Sequence, residues 1–328
     1  MSGLRVGLIG AGGISRVHAD AWRTLGAHAT VTSRTGAEDL AAEYGMSVAP
    51  DVETLLADVD IVDIVTPSAT HAAFALAAIE AGVHVICEKP LAPTAAEAQR
   101  IVDAAAEAGV RLFPAHVVRY FPEYVRVKAQ VDARTVGEVM TQRFLRMGSA
   151  PSASWFFQES TGGGVIRDLM IHDIDQALWL AGPVTTVSAV QHPPTADDVV
   201  PVPVTARVVL SHASGARSDL QATWGGPGLT FRTGLEISGR LGTLAHDSAE
   251  ASSPTEAATT DHLPPVSPAS NPYLDELADF VAAIDHDADA RVSGADGVAA
   301  IVVAEAAYAS IASGATVTLP APLTPAGG

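Results

Sequence analysis

Basic side chains are scarce in this chain. Its 328 residues include 19 Lys and Arg against 37 Asp and Glu, giving a formal net charge of −18, and no Lys/Arg-rich run occurs. Proteins that hold nucleic acid or an anionic membrane need clustered positive charge to meet the phosphates. The composition therefore disfavours both of these partners.

Cysteine is almost absent. Cys87 is the single cysteine, which excludes an internal disulfide and fits a reducing cytoplasm. It falls in an apolar run that is typical of a strand, so a buried, inert thiol is expected there rather than a nucleophile. No metal site is predicted.

Targeting and membrane patterns are missing as well. The N-terminus leads directly into a predicted strand without the layout of a signal peptide. The longest alanine-rich runs carry polar residues at helical spacing, so no transmembrane segment is implied. No internal repeat is found. These absences favour a cytoplasmic globular protein.

Apolar content is sufficient for large cores. Hydrophobic residues make up 48% of the chain and charged residues 17%, which is typical of a packed globular protein. The length suits two domains. We place them at 1–120, a nucleotide-binding domain, and 121–328, a substrate and oligomerisation domain.

A glycine turn (Gly10–Ile14) follows the first predicted strand, Leu4–Ile9, and precedes an amphipathic helix. Gly10 allows the tight turn, and Gly12 lets the backbone approach a pyrophosphate at the helix N-terminus. Ser15 stands where the usual pattern has a third glycine. A purely structural turn is the less favoured alternative. The predicted cofactor contacts in this turn are Gly10, Gly12, Gly13 and Ile14.

The second predicted strand, His28–Thr32, bears on the choice of cofactor. A NAD-specific site usually has an Asp or Glu here to bind the ribose 2′-hydroxyl, and this chain has Ser33-Arg34-Thr35 instead. Ser33 and Thr35 can hydrogen-bond a 2′-phosphate, and Arg34 can pair with it. We therefore predict NADP, with NAD as the alternative. A solvated Arg34 is the competing interpretation.

Polar residues also follow the predicted strand Ile61–Val65. Thr66 and Pro67 are expected to line the cofactor side of the sheet edge, and Thr70 to cap the next helix. His71 either contacts the cofactor or caps that helix, and the residues leave both interpretations open.

Glu88-Lys89-Pro90, called the lysine turn below, follows the apolar run Val83–Cys87. Open α/β sheets bind their ligands outside the carboxyl ends of the strands, which is where this ammonium is expected. A surface lysine in a turn is the alternative. Strands that alternate with helices through this half predict a parallel, doubly wound sheet.

The second half contains a predicted helix from Val165 to about Leu180 with a polar stripe. Asp168, His172 and Asp175 fall at i, i+4 and i+7, on one face. An imidazole exchanges a proton near neutral pH while a carboxylate orients it, so the stripe suits proton transfer. From the helix alone, a solvated face with a neutral His is favoured.

Other features of this half remain open. Arg119 can reach a substrate or form a structural ion pair, with equal weight. Trp155, in a predicted loop over Pro151–Ser160, can stack on a sugar ring, although simple packing is commoner. Alternating runs between Val184 and Ala245 predict an antiparallel sheet, and 248–270 is predicted to be a loop or poorly ordered.

The chain resembles the Gfo/Idh/MocA oxidoreductases over nearly its whole length. No single motif is decisive, but their order and spacing together are specific. The carriers are Gly10-Ala11-Gly12-Gly13-Ile14 with His18, Thr66-Pro67 with His71, the lysine turn, Arg119-Tyr120-Phe121-Pro122, Gly162-Gly163-Gly164 with Asp168, His172 and Asp175, Gly239 and Gly242, and Ser293-Gly294-Ala295-Asp296-Gly297.

The resemblance implies a Rossmann domain followed by an α/β domain with an open, mainly antiparallel sheet that often forms a homodimer or homotetramer interface. It also implies oxidation or reduction of a sugar, cyclitol or related polyol at a secondary alcohol or ketone. Lys89 would polarise the reacting oxygen, His172 would be the general acid/base, and Asp168 would orient the substrate or proton relay. Glu88 would hold the turn or contact the cofactor, and the Lys89–Pro90 peptide would be cis. The substrate contacts expected are Lys89, Arg119, Trp155, Asp168 and His172.

Two other functions compete with this one. A ligand sensor of the same fold would bind NAD(P) and sugar without turnover. Retention of Lys89, Asp168 and His172 together argues against it, since loss of chemistry would free those positions. The third reading is an enzyme of the same fold with another substrate, such as a tetrapyrrole or a diol.

Overall fold

The computed structural model describes residues 3–249, the backbone of 261–262, and 271–320. The chain forms two compact units. The first consists of Met1–Phe121 with Pro268–Val298, and the second of Pro122–Ser267 with Ala299–Gly328.

The first unit is built on a six-stranded parallel sheet. Its strands pair in the order β3-β2-β1-β4-β5-β6, which is the order of a dinucleotide-binding fold. β1 and β4 are parallel neighbours, and the sequence order of the strands reverses between them. The parallel, doubly wound sheet predicted from the sequence is confirmed. The strands are β1 (Arg5–Ile9), β2 (His28–Thr32), β3 (Ser47–Val48), β4 (Ile61–Ile64), β5 (His84–Glu88) and β6 (Leu112–Ala115).

Helices connect these strands and begin where the sequence supplies a cap. Thr94 accepts from Glu97 N at 3.2 Å at the start of the helix Ala95–Ala108, and Asp51 accepts from Thr54 N at 2.7 Å at the start of the helix Val52–Leu56. The connecting helices are α1 (Ser15–Thr24), α2 (Ala37–Tyr44), α3 (Val52–Leu56), α4 (His71–Glu80) and α5 (Ala95–Ala108).

Helix α8 (Pro272–Asp285) also belongs to the first unit, which differs from the predicted domains 1–120 and 121–328. The reason is apolar packing. Leu277 and Phe280 are completely buried in the cluster that contains Trp22 of α1 and Phe113 of β6. Phe113 and Phe280 stack with ring centroids 4.8 Å apart. A segment far along the sequence therefore completes the core of the nucleotide-binding fold.

The second unit contains an eight-stranded sheet in the order β13-β12-β11-β7-β10-β9-β8-β14. Most neighbours are antiparallel, as predicted, but β7 pairs with β10 in parallel, as does β12 with β13. The strands are β7 (Val139–Ser149), β8 (Val184–His192), β9 (Val204–His212), β10 (Arg217–Gly225), β11 (Arg232–Gly239), β12 (Thr243–Asp247), β13 (Asp261–His262) and β14 (Val317–Thr318). Most of the predicted 248–270 loop, and the tail beyond 320, lie outside the described residues.

Among the described residues, two α-helices lie wholly in the second unit: α6 (Pro122–Asp132), which was not predicted, and α7 (Ile171–Ala181). Ala177 of α7 is fully buried, and its carbonyl lies 3.4 Å from the amide nitrogen of Gln142 on β7. Alternate residues of β7, including Phe144 and Arg146, are buried like Gln142.

Helix α9 (Gly294–Ser313) begins in the first unit and ends in the second. Among the described residues it is the one helix long and apolar enough to cross a membrane. Core helices of globular domains meet the same criterion, and Ile301, Val303, Ala304 and Ala307 of α9 are buried.

Candidate active site

The glycine turn connects β1 to α1 at the carboxyl edge of the first sheet. Gly10 has φ +116°, and a Cβ there would lie 2.9 Å from the carbonyl oxygen of Val65, beyond β4. Gly10 N donates to Thr32 O at 2.9 Å, which ties the end of β1 to the end of β2. Only glycine suits this position, because both the dihedral angle and the neighbouring backbone exclude a side chain.

Gly12 and Gly13 differ from Gly10. A Cβ at either would meet no atom of the described chain within 4 Å. Protein packing therefore does not require glycine there, whereas close approach of a ligand to the backbone would. Ile14 is the N-terminal cap residue of α1, no described side chain caps the helix, and its first turn has no acid. These features fit a pyrophosphate, which the helix dipole and the free N–H groups favour.

The turn after β2 is open and lacks a carboxylate. Ser33 is half-buried and Arg34 is exposed. Within the described chain Arg34 makes no hydrogen bond or ion pair. Helix α2 begins after Gly36, whose φ is +77°.

The lysine turn ends β5 and contains a cis Lys89–Pro90 peptide, as the family resemblance implied. Lys89 is half-buried, and its backbone N–H donates to Glu88 Oε2 at 2.9 Å. Glu88 itself is 8% exposed, so its carboxylate is buried.

A buried histidine joins Glu88 to β4. His18 Nδ1 lies 2.8 Å from Asp63 Oδ2, and His18 Nε2 lies 3.2 Å from Glu88 Oε1. Trp22 Nε1 also donates to Asp63 Oδ2, at 2.7 Å. His18 and Asp63 are completely buried. Buried carboxylates need compensating charge, and an imidazolium between two of them supplies it.

The pKa shifts agree with this charge arrangement. Burial by itself would lower the pKa of His18, but the charges and hydrogen bonds of Asp63 and Glu88 raise it well above the ordinary value. Burial by itself would raise the pKa of Glu88, yet His18 and Lys89 lower it. His18 is therefore an imidazolium and Glu88 a carboxylate at neutral pH.

His71 contacts the last residue of the lysine turn and is 1% exposed. Its Nδ1 is 2.8 Å from Pro90 O, and its Nε2 is 2.8 Å from Thr66 O. Each ring nitrogen faces a backbone carbonyl, and no described side chain caps the N-terminus of α4. The expected contact of His71 with the cofactor stays a prediction. Thr70, also expected to cap, donates instead to Thr66 Oγ1 and Pro67 O, each at 2.8 Å.

Arg119 takes part in a structural ion pair. It is 2% exposed, its Nη2 lies 3.1 Å from Asp296 Oδ1, and its Nη1 donates to Arg291 O at 2.9 Å. Burial alone would raise the pKa of Asp296, but Arg119 and hydrogen bonds from Ser293 lower it. Of the two interpretations of Arg119, this geometry is that of the ion pair, so we do not assign it to the substrate.

In the second unit, the three glycines Gly162, Gly163 and Gly164 meet tight packing. A Cβ on Gly162 would lie 2.2 Å from Trp155 O, and one on Gly163, whose φ is +78°, 2.4 Å from Arg167 Cβ. Trp155 is half-buried and stacks on Phe156 with ring centroids 3.7 Å apart. The glycines therefore hold the aromatic loop directly against the start of the following helix.

That helix departs from the predicted regular spacing. Residues Ile166–Met170 form a π-helical turn, and α-helix resumes at Ile171. A π turn is wider than an α turn, so the regular α-helical spacing on which the predicted stripe relied is interrupted between Asp168 and His172. Asp168 and His172 are half-buried, whereas Asp175 is 1% exposed and accepts from Gln176 Nε2 at 3.5 Å.

Asp173, next to His172, anchors this helix to β7. Arg146 donates to both carboxylate oxygens of Asp173 at 2.7–3.2 Å and to Tyr124 Oη at 3.2 Å. Burial raises the pKa of Asp173, and Arg146 opposes that shift. Sequence reasoning missed this pair and the His18–Asp63–Glu88 chain. The available signal was an acid inside an apolar strand, Asp63, and an acid amid the apolar residues of a helix, Asp173.

Family models match both halves of the chain. A model described as an oxidoreductase family with an NAD-binding Rossmann fold matches residues 4–116. A model of the GFO/IDH/MocA C-terminal domain matches residues 124–245.

Individual relatives match nearly end to end. Inositol 2-dehydrogenase of Rhizobium meliloti strain 1021 is 31% identical over 331 residues, covering 94% of this chain and 97% of the relative. The structure of GenD2 from gentamicin A biosynthesis in complex with NAD matches with a TM-score of 0.85 at 28% identity, over 98% and 97% of the two chains. Levoglucosan dehydrogenase in complex with NADH and levoglucosan also gives 0.85, at 25% identity over 98% and 100%. The chain therefore belongs to the Gfo/Idh/MocA family of oxidoreductases.

Proposed function

We propose that this protein is an NAD(P)-dependent oxidoreductase acting at a secondary alcohol or ketone of a sugar, cyclitol or related polyol. The observation that carries the proposal is the half-buried Lys89 at the carboxyl end of β5, in a chain whose near full-length relatives include inositol and levoglucosan dehydrogenases. Ligands of this fold bind outside the carboxyl ends of the strands.

The residues divide the work by chemical type. When bound, the nicotinamide supplies or accepts the hydride. The ammonium of Lys89 polarises the reacting oxygen and stabilises the charge of a developing alkoxide. His172 exchanges the hydroxyl proton, and Asp168 orients the substrate or the proton relay. Trp155 offers an aromatic wall for a sugar ring.

The cofactor is held by residues at the carboxyl edge of the first sheet. The glycine turn and the N-terminus of α1 would receive the pyrophosphate. Thr66 and Pro67 would lie along the dinucleotide. For the ribose we propose a 2′-phosphate, hence NADP, because the turn after β2 lacks a carboxylate and Arg34 is exposed and unpaired among the described residues. This preference would separate the chain from GenD2 and levoglucosan dehydrogenase, whose structures hold NAD and NADH.

Titration with each cofactor, followed by a substrate panel, tests the proposal. NADPH and NADH binding is measured by fluorescence, and a panel of inositols, aldoses, anhydro-sugars and keto-sugars is then followed by nicotinamide absorbance. Turnover of at least one polyol is expected, with NADPH bound more tightly than NADH. Cofactor binding without turnover across the panel would favour a sensor instead.

Replacement of Lys89 by alanine tests the chemistry. The chain has two lysines, so Lys128→Ala is a matched control. Lys128 pairs with Asp132 and lies 5.4 Å from the centroid of the Trp179 ring, within the second unit. Lys89→Ala should reduce kcat at least about 100-fold, as loss of one electrostatic stabiliser does, with little change in cofactor Kd. Normal turnover by Lys89→Ala would refute its assigned role.

A further inference from the structure

Two buried histidines contact the first and the last residue of the lysine turn. His18 reaches Glu88, the residue before Lys89, and His71 reaches the carbonyl of Pro90, the residue after it. Neither ring is accessible, since His18 is fully buried and His71 is 1% exposed. A direct role of either ring in binding a substrate is therefore excluded by burial.

Each histidine connects the lysine turn to another strand end of the same sheet. Through Asp63 Oδ2, at 2.8 Å, His18 links the turn to β4. On its other side, His71 Nε2 lies 2.8 Å from Thr66 O, in the turn that follows β4. Glu88 also accepts from the Lys89 N–H at 2.9 Å, so the His18 contact reaches the lysine backbone through one carboxylate.

We propose that His18 and His71 are positioning residues that fix the backbone of the lysine turn and thereby aim the Lys89 ammonium. In this arrangement His18 Nε2–H holds Glu88, and His71 Nδ1–H holds Pro90 O. The other nitrogen of His18, Nδ1, anchors that ring to Asp63 on β4. The inference rests on the proposed catalytic role of Lys89.

The two rings differ in charge. The pKa of His18 is raised by its two carboxylates, so both of its nitrogens donate. Burial lowers the pKa of His71, and a neutral ring carries one N–H for two carbonyls. The lysine turn is held by His71 only in the tautomer that carries the proton on Nδ1.

Asparagine and glutamine replacements separate the two nitrogens of each ring. The amide nitrogen of Asn lies close to the position of Nδ1, and that of Gln close to the position of Nε2. At position 18, Gln therefore keeps a donor toward Glu88 and Asn keeps one toward Asp63. At position 71 the order reverses, because Asn keeps the donor toward Pro90 O and Gln keeps one toward Thr66 O.

The expected order of kcat for the Asn and Gln variants at position 18 is the opposite of the order at position 71. His18→Asn and His71→Gln should lose about 10–100-fold in kcat, the range that a small misplacement of a reacting group produces. His18→Gln and His71→Asn should each retain at least about tenfold more activity than their counterparts. Cofactor Kd should vary less than threefold in all four, and thermal midpoints should not follow the kcat order. Equal kcat within each pair, or the opposite order, would overturn the proposal.

A second measurement reads Lys89 without needing turnover. Apart from the amino terminus, Lys89 and Lys128 are the only amines of the chain. Reductive ¹³C-methylation therefore gives two lysine NMR signals, with Lys128 as an internal control. The Lys89 signal should move in His18→Asn and His71→Gln, stay near its wild-type position in the other two, and the Lys128 signal should not move.

The two measurements separate failure of this inference from failure of the proposed function. If the wild type turns over no member of the panel, the function fails and the NMR pattern alone decides the positioning role. If the wild type is active but all four variants leave both kcat and the Lys89 signal unchanged, the positioning role is wrong and the function stands. If one variant does not fold, the pair at the other position decides.

Discussion

Alanine at Gly10 and at Gly12 should produce opposite phenotypes, although the two glycines lie two residues apart. At Gly10 the φ of +116° is strained for an L-residue, which costs of the order of 1–3 kcal/mol. The new Cβ would also lie 2.9 Å from Val65 O and 3.1 Å from Val65 C, backbone atoms that cannot rotate away. Overpacking of this kind costs about 1–3 kcal/mol more.

The two terms together give a loss of about 2–6 kcal/mol for Gly10→Ala, a large fraction of the roughly 5–15 kcal/mol that stabilises a typical domain. Gly12 has neither problem, since its φ is not positive and a Cβ there meets nothing within 4 Å among the described residues. Gly12→Ala should change stability by less than about 0.5 kcal/mol.

Cofactor affinity, in contrast, should be reduced by the Gly12→Ala substitution. If the Gly12 backbone approaches the pyrophosphate, a methyl group there displaces the phosphate from its donors. Loss of one hydrogen bond to a charged group is worth about 1.5–3 kcal/mol, or about 10–150-fold in Kd. Gly12→Ala should therefore fold normally and bind NADPH at least about tenfold more weakly.

Urea denaturation followed by circular dichroism measures the first effect, and NADPH fluorescence titration the second. A Gly12→Ala protein that binds NADPH like the wild type would refute the assignment of the Gly12 backbone to the pyrophosphate site. The packing argument would fail if Gly10→Ala and Gly12→Ala shared one urea midpoint.

Two further predictions concern charge. Arg34→Ala should weaken NADPH binding by about 10–100-fold, the value of a charge-assisted bond to phosphate, and leave NADH Kd within about twofold; equal effects on both cofactors in a titration would count against the 2′-phosphate role. His18 has a raised pKa in the folded protein, so its stabilisation is complete below the ordinary imidazole pKa of about 6.5 and is lost as the pH rises through the raised value. The difference in urea midpoint between the wild type and His18→Ala should therefore be larger at pH 6 than at strongly alkaline pH, and a difference that grows with pH would contradict an imidazolium at this position.

The first sheet was predictable because its strands are short apolar runs separated by turn residues. β2 occupies the predicted range, β1 begins one residue later than predicted, and β5 is shifted by one residue at each end. Helix α6 was missed because only Tyr124 and Val127 of its residues are buried, which leaves a weak apolar stripe.

The direction of strand pairing and the type of helix were harder to predict from the sequence. Alternation of buried and exposed residues is the same in parallel and antiparallel strands, so the parallel pairing of β7 with β10 left no mark in the sequence. The π turn at Ile166–Met170 changes the hydrogen-bond spacing of the backbone, to which apolar spacing is nearly insensitive.

Site residues that follow directly after a strand could be placed from the sequence. Contacts between side chains that are distant along the chain could not. Lys89 was placed correctly at the end of β5 from the apolar run before it. Asp63 lies 45 residues after His18 along the chain, and Glu88 lies 70 residues after it. The order of β1, β4 and β5 in the sheet brings the three together. That order is a tertiary property.

The return of α8 to the first unit has a consequence for biosynthesis. A nascent chain that has emerged only as far as Phe121 carries all six strands of the nucleotide-binding sheet but lacks Leu277 and Phe280, which fill its core. The apolar surface around Trp22 and Phe113 then stays uncovered until more than 150 further residues have been translated. A fragment expressed to Phe121 should accordingly aggregate or recruit chaperones, whereas one that carries the α8 segment on a short linker should be soluble.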